Sequence, residues 1–341
     1  MTQDLPGLDL TALTAWWPDH VGPLAGGLSA TLIAGGKSNL TYQVTDGARG
    51  WIVRRPPLGH VLATAHDMAR EYRVMTALRD TEVPVPTTYA LCEDLAILGA
   101  PFYVMDRVEG TPYRLAEELA PLGAERVRAI TTRLVDTLAA LHRIDPVSVG
   151  LGDFGRAEGF LARQVARWKK QLDASHSRDL PAAEELYARL SAGVPPESAP
   201  GIVHGDYRLD NVLIDATPER GDRLTAVLDW EMATLGDPLT DLALMLLYQR
   251  LGAAAGALVS DVAAAPGYLT EDEILTRYAA GGGRDLTHFG FYLGLAAFKL
   301  AAILEGIHYR YLQGQTVGPG FDHIGEAIHP LLAAGLDALD N

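Results

Sequence analysis

Apolar residues recur along this chain with two different periods, and the period changes partway through. After Asp9, which can cap a helix, Leu10, Leu13, Trp16 and Trp17 share one side of a helical turn. Ala30 to Ile33 and Leu40 to Val44 flank Gly35-Gly36, a pattern that predicts two strands joined by a tight glycine turn. Trp51-Ile52-Val53 predicts a third strand, ended by Pro56-Pro57, and Phe102 to Met105 a further one. Between them, Ala65 to Arg79 carries Met68, Tyr72, Met75 and Leu78 on one helical stripe. After Gly110 helical spacing dominates. Glu125 to His142 places Ile130, Leu134, Leu138 and Leu141 on one face, and Thr270 followed by Glu273 has the signature of a capping box. Gly281 stands where a C′ glycine would end that last helix. Among these helices lies a strand-rich island: Ile202-Val203, Val212 to Ile214 and Leu224 to Leu228. The expected fold is α+β, with a small lobe of antiparallel sheet plus helix over residues 1–108 and a large, mainly helical lobe over 109–341.

Composition narrows the function classes. With 341 residues the chain can bury a sizeable core, and 48% apolar with 21% charged residues is ordinary for a soluble globular protein. A net charge of −15 without a run of Lys or Arg argues against nucleic acid or an anionic membrane as partner. The single cysteine, Cys92, excludes an intramolecular disulfide and a Cys-based zinc site. The acidic N-terminus MTQDLPGLDL has no secretory pattern, so a cytoplasmic location is expected. Phe289 to Ile307 is strongly apolar, but Lys299 and Glu305 interrupt it, and a buried helix is the better reading than a membrane span.

The chemistry lies in the island. His204-Gly205-Asp206 is followed by Asn211, five residues after the aspartate, and by Asp229-Trp230-Glu231 behind a strand. Phosphoryl transfer asks little of a protein: a carboxylate to orient the attacking hydroxyl, and an Asn and an Asp to hold Mg²⁺ against the phosphates. Kinase catalytic loops use this spacing, with the metal-binding Asp after the next hairpin. Asp206 fits the first role, and Asn211 and Asp229 fit the second. Each residue alone is a common turn residue; the order and the bracketing strands carry the reading.

The run VHGDYRLDN…AVLDWEMATLGDPLTDLA resembles the aminoglycoside phosphotransferase and choline kinase-like superfamily. More narrowly, GGKSNLTY, WIVRRPP and DWEMATLGDP resemble the kinase-like domain fused to some acyl-CoA dehydrogenases. The resemblance runs from about Gly35 to about Gly314 and implies a bilobal, protein-kinase-like fold using ATP and Mg²⁺. It implies that Asp206 is the catalytic base, that Asn211 and Asp229 are metal ligands, and that Arg208 faces the γ-phosphate. Gly35, Gly36, Lys37, Ser38 and Asn39 would form the phosphate-covering turn, and Asp106 and Val108 would meet adenine through main-chain groups. Arg54, on the strand face of Ile52, stands where the family's strand lysine grips the α/β-phosphates, with Glu71 as its partner. Arginine there is not a conservative change, because a guanidinium is a planar fork rather than a point charge.

Several neighbouring residues have two readings. His204 is a second candidate base or a brace for the loop, with the brace favoured. Asp237 and Asp241 are extra metal ligands or, as favoured, a turn former and a helix cap that ties down the catalytic loop. Glu231 is a metal contact or a partner for Arg208, and His308, Tyr309 and Arg310 are substrate contacts or an exposed face. The segment between Asp229 and Asp241 is too short to dock a peptide, so the expected acceptor is a hydroxyl of a small molecule. A hydroxyacyl-CoA or hydroxy acid is favoured over an aminoglycoside. A nucleotide-binding pseudokinase scaffold is disfavoured because Asp206, Asn211 and Asp229 are all present. A Ser or Cys hydrolase is disfavoured because no Gly-x-Ser-x-Gly elbow occurs. Oligomeric state has no sequence signal.

Overall fold

The computed structural model describes residues 5–33, 39–59, 67–175, 177–196, 198–255, 260–282, 284–316 and 321–340. In chain order they form α1 (Leu10–His20), β1 (Ser29–Leu32), β2 (Leu40–Thr45), β3 (Gly50–Arg55), α2 (Met68–Leu78), β4 (Thr88–Cys92), α3 (Leu95–Leu98) and β5 (Phe102–Asp106). There follow α4 (Ala116–Leu119), α5 (Ala124–Arg143), α6 (Phe160–Ser175), α7 (Pro181–Ala192), β6 (Gly201–Val203), β7 (Val212–Asp215), β8 (Arg223–Val227) and β9 (Thr234–Gly236). The chain ends in α8 (Leu239–Ala255), α9 (Glu271–Gly282), α10 (Phe289–Leu312) and α11 (Ile328–Asp340). The α+β expectation holds.

The chain packs as two compact units. The first holds residues up to Thr111, Val212–Thr217 and Leu224–Ala233; the second holds Pro112–Asn211, Pro218–Arg223 and the remainder from Thr234. A single cut at 108/109 had been expected. The difference has a local cause: Thr111 and Ile214 exchange backbone hydrogen bonds at 2.9 and 3.1 Å, and the Val227 amide donates to Pro84 at 2.8 Å. The Arg70 guanidinium donates to the Ala233 carbonyl at 3.0 Å. These bonds draw β7, β8 and the turn after them into the first unit.

The first unit is built on an antiparallel sheet in the order β1-β2-β3-β5-β4. Side chains alternate between its faces. Tyr42, Val44, Trp51, Val53, Phe102 and Val104 join one apolar cluster with Leu13 and Trp17 of α1. The Asp9 carboxylate caps α1 by accepting the Thr11 and Ala12 amides, both at 2.9 Å. Ile52, Arg54, Tyr103 and Met105 occupy the alternate positions of β3 and β5, and this is the face against which α2 brings Glu71. β4 carried no clear sequence signal, because its short run TYALC sits between polar loops; it is recruited by pairing to β5.

The second unit is mainly helical. α10 packs on α6, α8 and α11, α5 packs on α9, and β6 pairs antiparallel with β9. Among the described residues α10 alone is long and apolar enough to cross a membrane, but 72% of its most apolar window is buried inside the protein, as expected of a core helix. The Thr270–Glu273 capping box is present: the Thr270 amide donates to Glu273 at 2.9 Å and the Glu273 amide to Thr270 Oγ1 at 3.3 Å. Gly281 does not end α9, which runs on through Gly282. The glycine instead allows close packing, since a Cβ there would lie 3.3 Å from that of Ala139.

Gly290 sets the approach of α10 to α11: a Cβ at this position would lie 2.2 Å from the Ala338 carbonyl oxygen. Gly290→Ala is therefore expected to push the two helices apart and to cost about 1–3 kcal/mol. Thermal unfolding of the variant checks this, and an unchanged midpoint would show that the helices part freely.

Candidate active site

In the first unit a half-buried arginine gathers three carboxylates. The Arg54 guanidinium meets Asp229 at 2.5 Å (Nη2–Oδ1), Glu71 at 3.2 Å (Nε–Oε2) and Glu231 at 3.7 Å. Asn39 ties two of these together, donating from Nδ2 to Glu231 at 3.0 Å and to Glu71 at 3.3 Å. The Tyr103 hydroxyl donates to Glu71 at 2.9 Å. The strand positions explain the gathering: Arg54 and Tyr103 are register partners across β3 and β5 and point to the α2 face. Asp229 follows β8 in a left-handed conformation, φ 63° and ψ 57°. That backbone is uncommon for a non-glycine residue and best tolerated by Asp or Asn.

Three carboxylates around one guanidinium leave an excess of hard oxygen donors, the donor chemistry Mg²⁺ takes. Among the described residues no group of three His, Cys, Asp or Glu side chains forms a ready-made cation site. Mg²⁺ would therefore need phosphate oxygens beside the protein ligands, which is its usual arrangement with nucleotides.

Burial pushes the Glu71 carboxyl up to about 7, against the opposing pull of Arg54. The sign follows directly. A folded-state value above the ordinary 4.5 stabilises the protein fully at pH below 4.5, and that contribution is lost as pH rises through 7. Glu71→Gln, which stays neutral, is expected to flatten the fall in urea-unfolding midpoint between about pH 5 and 8. An unaltered slope would mean that Glu71 does not titrate in this window.

The second unit holds the catalytic-loop candidates. Asn211 donates from Nδ2 to the Asp206 carbonyl at 2.8 Å and to the Asp206 carboxylate at 2.9 Å. Its amide nitrogen is thus committed, and the side-chain oxygen is the atom left to meet a cation. Arg208 pairs with Asp210 at 3.0 Å and Asp206 at 3.4 Å and lies over the Tyr248 ring, 4.7 Å from its centroid. The arginine expected to face a γ-phosphate is here folded onto its own loop.

The loop is anchored from behind. Asp241, 1% exposed, accepts the His204 amide at 2.6 Å and the Gly205 amide at 2.7 Å, with His142 Nε2 at 3.3 Å. Burial works against that charge, yet the bonds from His142 and the loop amides hold the carboxyl below its ordinary value. Gly205 has φ +89°, a conformation that suits glycine at the bend before Asp206. His204 is fully buried, and its Nδ1 accepts the Asp206 amide at 3.2 Å. A buried ring occupied by the loop backbone is a brace. Asp237 likewise fixes a turn: it accepts the Leu239 amide at 3.1 Å and the Tyr292 hydroxyl at 2.8 Å.

Other expected site residues fare differently. Gly35, Gly36, Lys37 and Ser38 lie outside the described residues. The Asp106 amide already donates to Thr87 at 2.8 Å and its carboxylate accepts from Tyr89 at 2.6 Å, so its main-chain donor is not available to a base. Val108 lies half-buried in the segment after β5. Glu231 is a partner of Arg54 and Asn39 rather than of Arg208. Glu305 is a buried anchor, accepting the Ser177 amide at 2.8 Å and pairing with Arg178 at 3.2 Å. Tyr309 and Arg310 are exposed near the end of α10, whereas the His308 ring packs against Gly325.

Sequence reasoning missed Tyr103, His142, Asp210 and Tyr248. Tyr103 had a usable signal, since period-two alternation puts it on one sheet face with Met105; the pairing that sets it beside Arg54 is not local. Tyr248 sits on α8 among apolar residues and had none.

Comparison with known proteins places this geometry. Residues 29–279 match the phosphotransferase enzyme family. Acyl-CoA dehydrogenase family member 11 of Gallus gallus is 34% identical over 325 residues, covering 92% of this chain and 40% of that protein. Acyl-CoA dehydrogenase family member 10 of Mus musculus is 37% identical over 286 residues, covering 82% of this chain and 26% of that protein. The chain thus spans less than half the length of these curated relatives. A Ralstonia eutropha crystal structure, titled provisionally as an aminoglycoside phosphotransferase, superposes with a TM-score of 0.85 at 34% identity, covering 97% of this chain and 98% of that one. A thermostable mutant of another aminoglycoside phosphotransferase, in ternary complex with AMP-PNP and hygromycin B, shares the fold at TM-score 0.62 and 15% identity, over 96% of this chain and 98% of that one.

Proposed function

The chain belongs to the phosphotransferase enzyme family, and from that premise we propose that it transfers the γ-phosphate of ATP to a hydroxyl of a small molecule. The observation that carries this reading is the Asp206–Asn211 arrangement. Asn211 spends its nitrogen on the loop and keeps an oxygen for a cation, while Asp206 stays tethered as a hydrogen-bond acceptor. Asp206 orients the acceptor hydroxyl. Its oxygen bonds to the γ-phosphorus as the bond to the β,γ-bridging oxygen breaks, ADP departs and the proton passes to the Asp206 carboxylate. Asn211 and Asp229 would hold Mg²⁺, which when bound supplies charge neutralisation on the phosphates. Arg54, pivoting between Glu71 and Asp229, grips phosphate oxygens with its planar fork. Asn39 and Val108 belong to the same nucleotide set, as do Gly35, Gly36, Lys37 and Ser38 of the covering turn.

The acyl-CoA dehydrogenase relatives support a hydroxyacyl-CoA or hydroxy acid as acceptor. The provisional title of the Ralstonia structure supports an aminoglycoside instead, and the chain's net charge of −15 suits a polycation. The test is mass-spectrometric detection of phosphorylated product from Mg-ATP and a panel of hydroxyacyl-CoAs, hydroxy acids, kanamycin-type aminoglycosides and choline. Product from one class, absent with Asp206→Asn, is the expected result. Failure to bind Mg-ATP at all would overturn the reading and revive a scaffold role.

A further inference from the structure

The second unit carries positive charge that phosphate chemistry does not use. Lys299 lies mid-way along α10, among buried Phe298, Leu300, Ala301 and Ala302. A lysine in such a place is costly unless its charge is engaged. Its Nζ donates to the carbonyl of Gly205, the residue before Asp206, at 2.8 Å and lies over the Trp168 ring, 5.6 Å from the centroid. The guanidinium of exposed Arg167 lies over the same ring at 5.2 Å. Burial holds the Lys299 ammonium below the ordinary lysine range, against the pull of Asp206 and Asp241 and with Arg167 adding to the fall.

Several other cations of this unit are paired with carboxylates: Arg178 with Glu305, Arg126 with Asp222, Lys169 with Asp173, and Arg208 with Asp206 and Asp210. Asp241 is filled by His142 and two amides. Among the described residues Lys299 and Arg167 make no salt bridge, in a chain whose net charge is −15. Two cations thus share the Trp168 indole, and one of them, Lys299, also holds the carbonyl next to the proposed base.

Resting on the phosphotransferase reading, we infer that Lys299, Arg167 and Trp168 form the acceptor subsite, which takes an oxyanion on the acceptor while its hydroxyl meets Asp206. The oxyanion is a free carboxylate or a phosphate of a CoA thioester. An aminoglycoside would bring like charge to this place and be disfavoured.

Initial rates with Mg-ATP are to be measured for hydroxyhexanoic acids, their CoA thioesters, and two uncharged counterparts, the primary amides and the pantetheine thioesters, with kanamycin as cationic arm. The charged members are expected to exceed their uncharged counterparts roughly 10- to 100-fold in kcat/KM, through KM, as a charge-assisted hydrogen bond would give. Whether acid or CoA thioester leads tells carboxylate from phosphate. Because Lys299 also holds the Gly205 carbonyl, the quantity read is the charged-to-uncharged ratio within each variant. This ratio is expected to fall toward one in Lys299→Met and Arg167→Gln and to recover in Lys299→Arg. Equal use of charged and uncharged acceptors, a ratio untouched in both variants, a preference for kanamycin, or no use of charged acceptors while ATP is still hydrolysed would each overturn the subsite. Loss of both transfer and hydrolysis in the unmodified protein would instead overturn the kinase reading beneath it.

Discussion

Asp206→Asn is expected to lower turnover by about 10²–10⁴ while leaving Mg-ATP affinity within a few-fold. The substitution keeps the size of the side chain and one oxygen to accept from Asn211, so the loop hydrogen bonds seen at 2.8 and 2.9 Å can persist. What disappears is the negative charge that attracts and receives the hydroxyl proton. Nucleotide affinity is expected to hold because Arg54, Glu71 and Asn39 are untouched and belong to a different packing unit. Single-turnover product formation, paired with calorimetry of Mg-ATP, separates the two quantities. Turnover within a factor of about ten of the unmodified protein would refute Asp206 as base.

Asp241→Ala is expected to be the most destabilising change in the second unit, on the order of 3–5 kcal/mol. The carboxylate accepts two loop amides and faces His142, all buried, and alanine leaves each donor without a partner. Against a total stability of about 5–15 kcal/mol, such a loss brings the unit close to unfolding at physiological temperature. Asn is expected to fail nearly as badly: both Asp241 oxygens accept, and an amide would turn an N–H toward one of the donors. The pH dependence gives an independent check. A carboxyl held below its ordinary 3.8 contributes stability at pH above that value, lost as pH falls through the lower folded-state value. Asp241→Ala should therefore lose part of the acid limb of the unfolding profile. Chemical denaturation from about pH 3 to 7 measures both effects, and a midpoint shift smaller than about 1 kcal/mol would refute the anchor.

Much of this was legible in the residues, for reasons that differ from place to place. Asp206, Asn211 and Asp229 could be found because catalytic-loop chemistry fixes their spacing along one short stretch. Arg54 and Glu71 could be paired through the family resemblance, while period-two alternation placed Arg54 on the Ile52 face of its strand. Asp241 could be tied to the loop only through the family resemblance, since the bond to the Gly205 amide spans 36 residues. Tyr248 under Arg208, and Trp168 under Lys299, were invisible because helix packing decides them and no local pattern encodes it. Arg208, expected to face phosphate, has its charge met by Asp206 and Asp210 of its own loop.

The return of β7, β8 and the segment through Ala233 to the first unit bears on how the protein is made. A ribosome delivers β1 to β5 early, but Asp229, the closest partner of Arg54, emerges only after α5, α6 and α7. Until then the nascent sheet carries a half-buried guanidinium with Glu71 alone to balance it. The N-terminal unit cannot finish folding before two thirds of the chain has been synthesised, so the two units mature nearly together rather than in succession. An expression fragment stopped at Thr111 would repeat the nascent situation permanently, and chaperone dependence or aggregation is its natural fate.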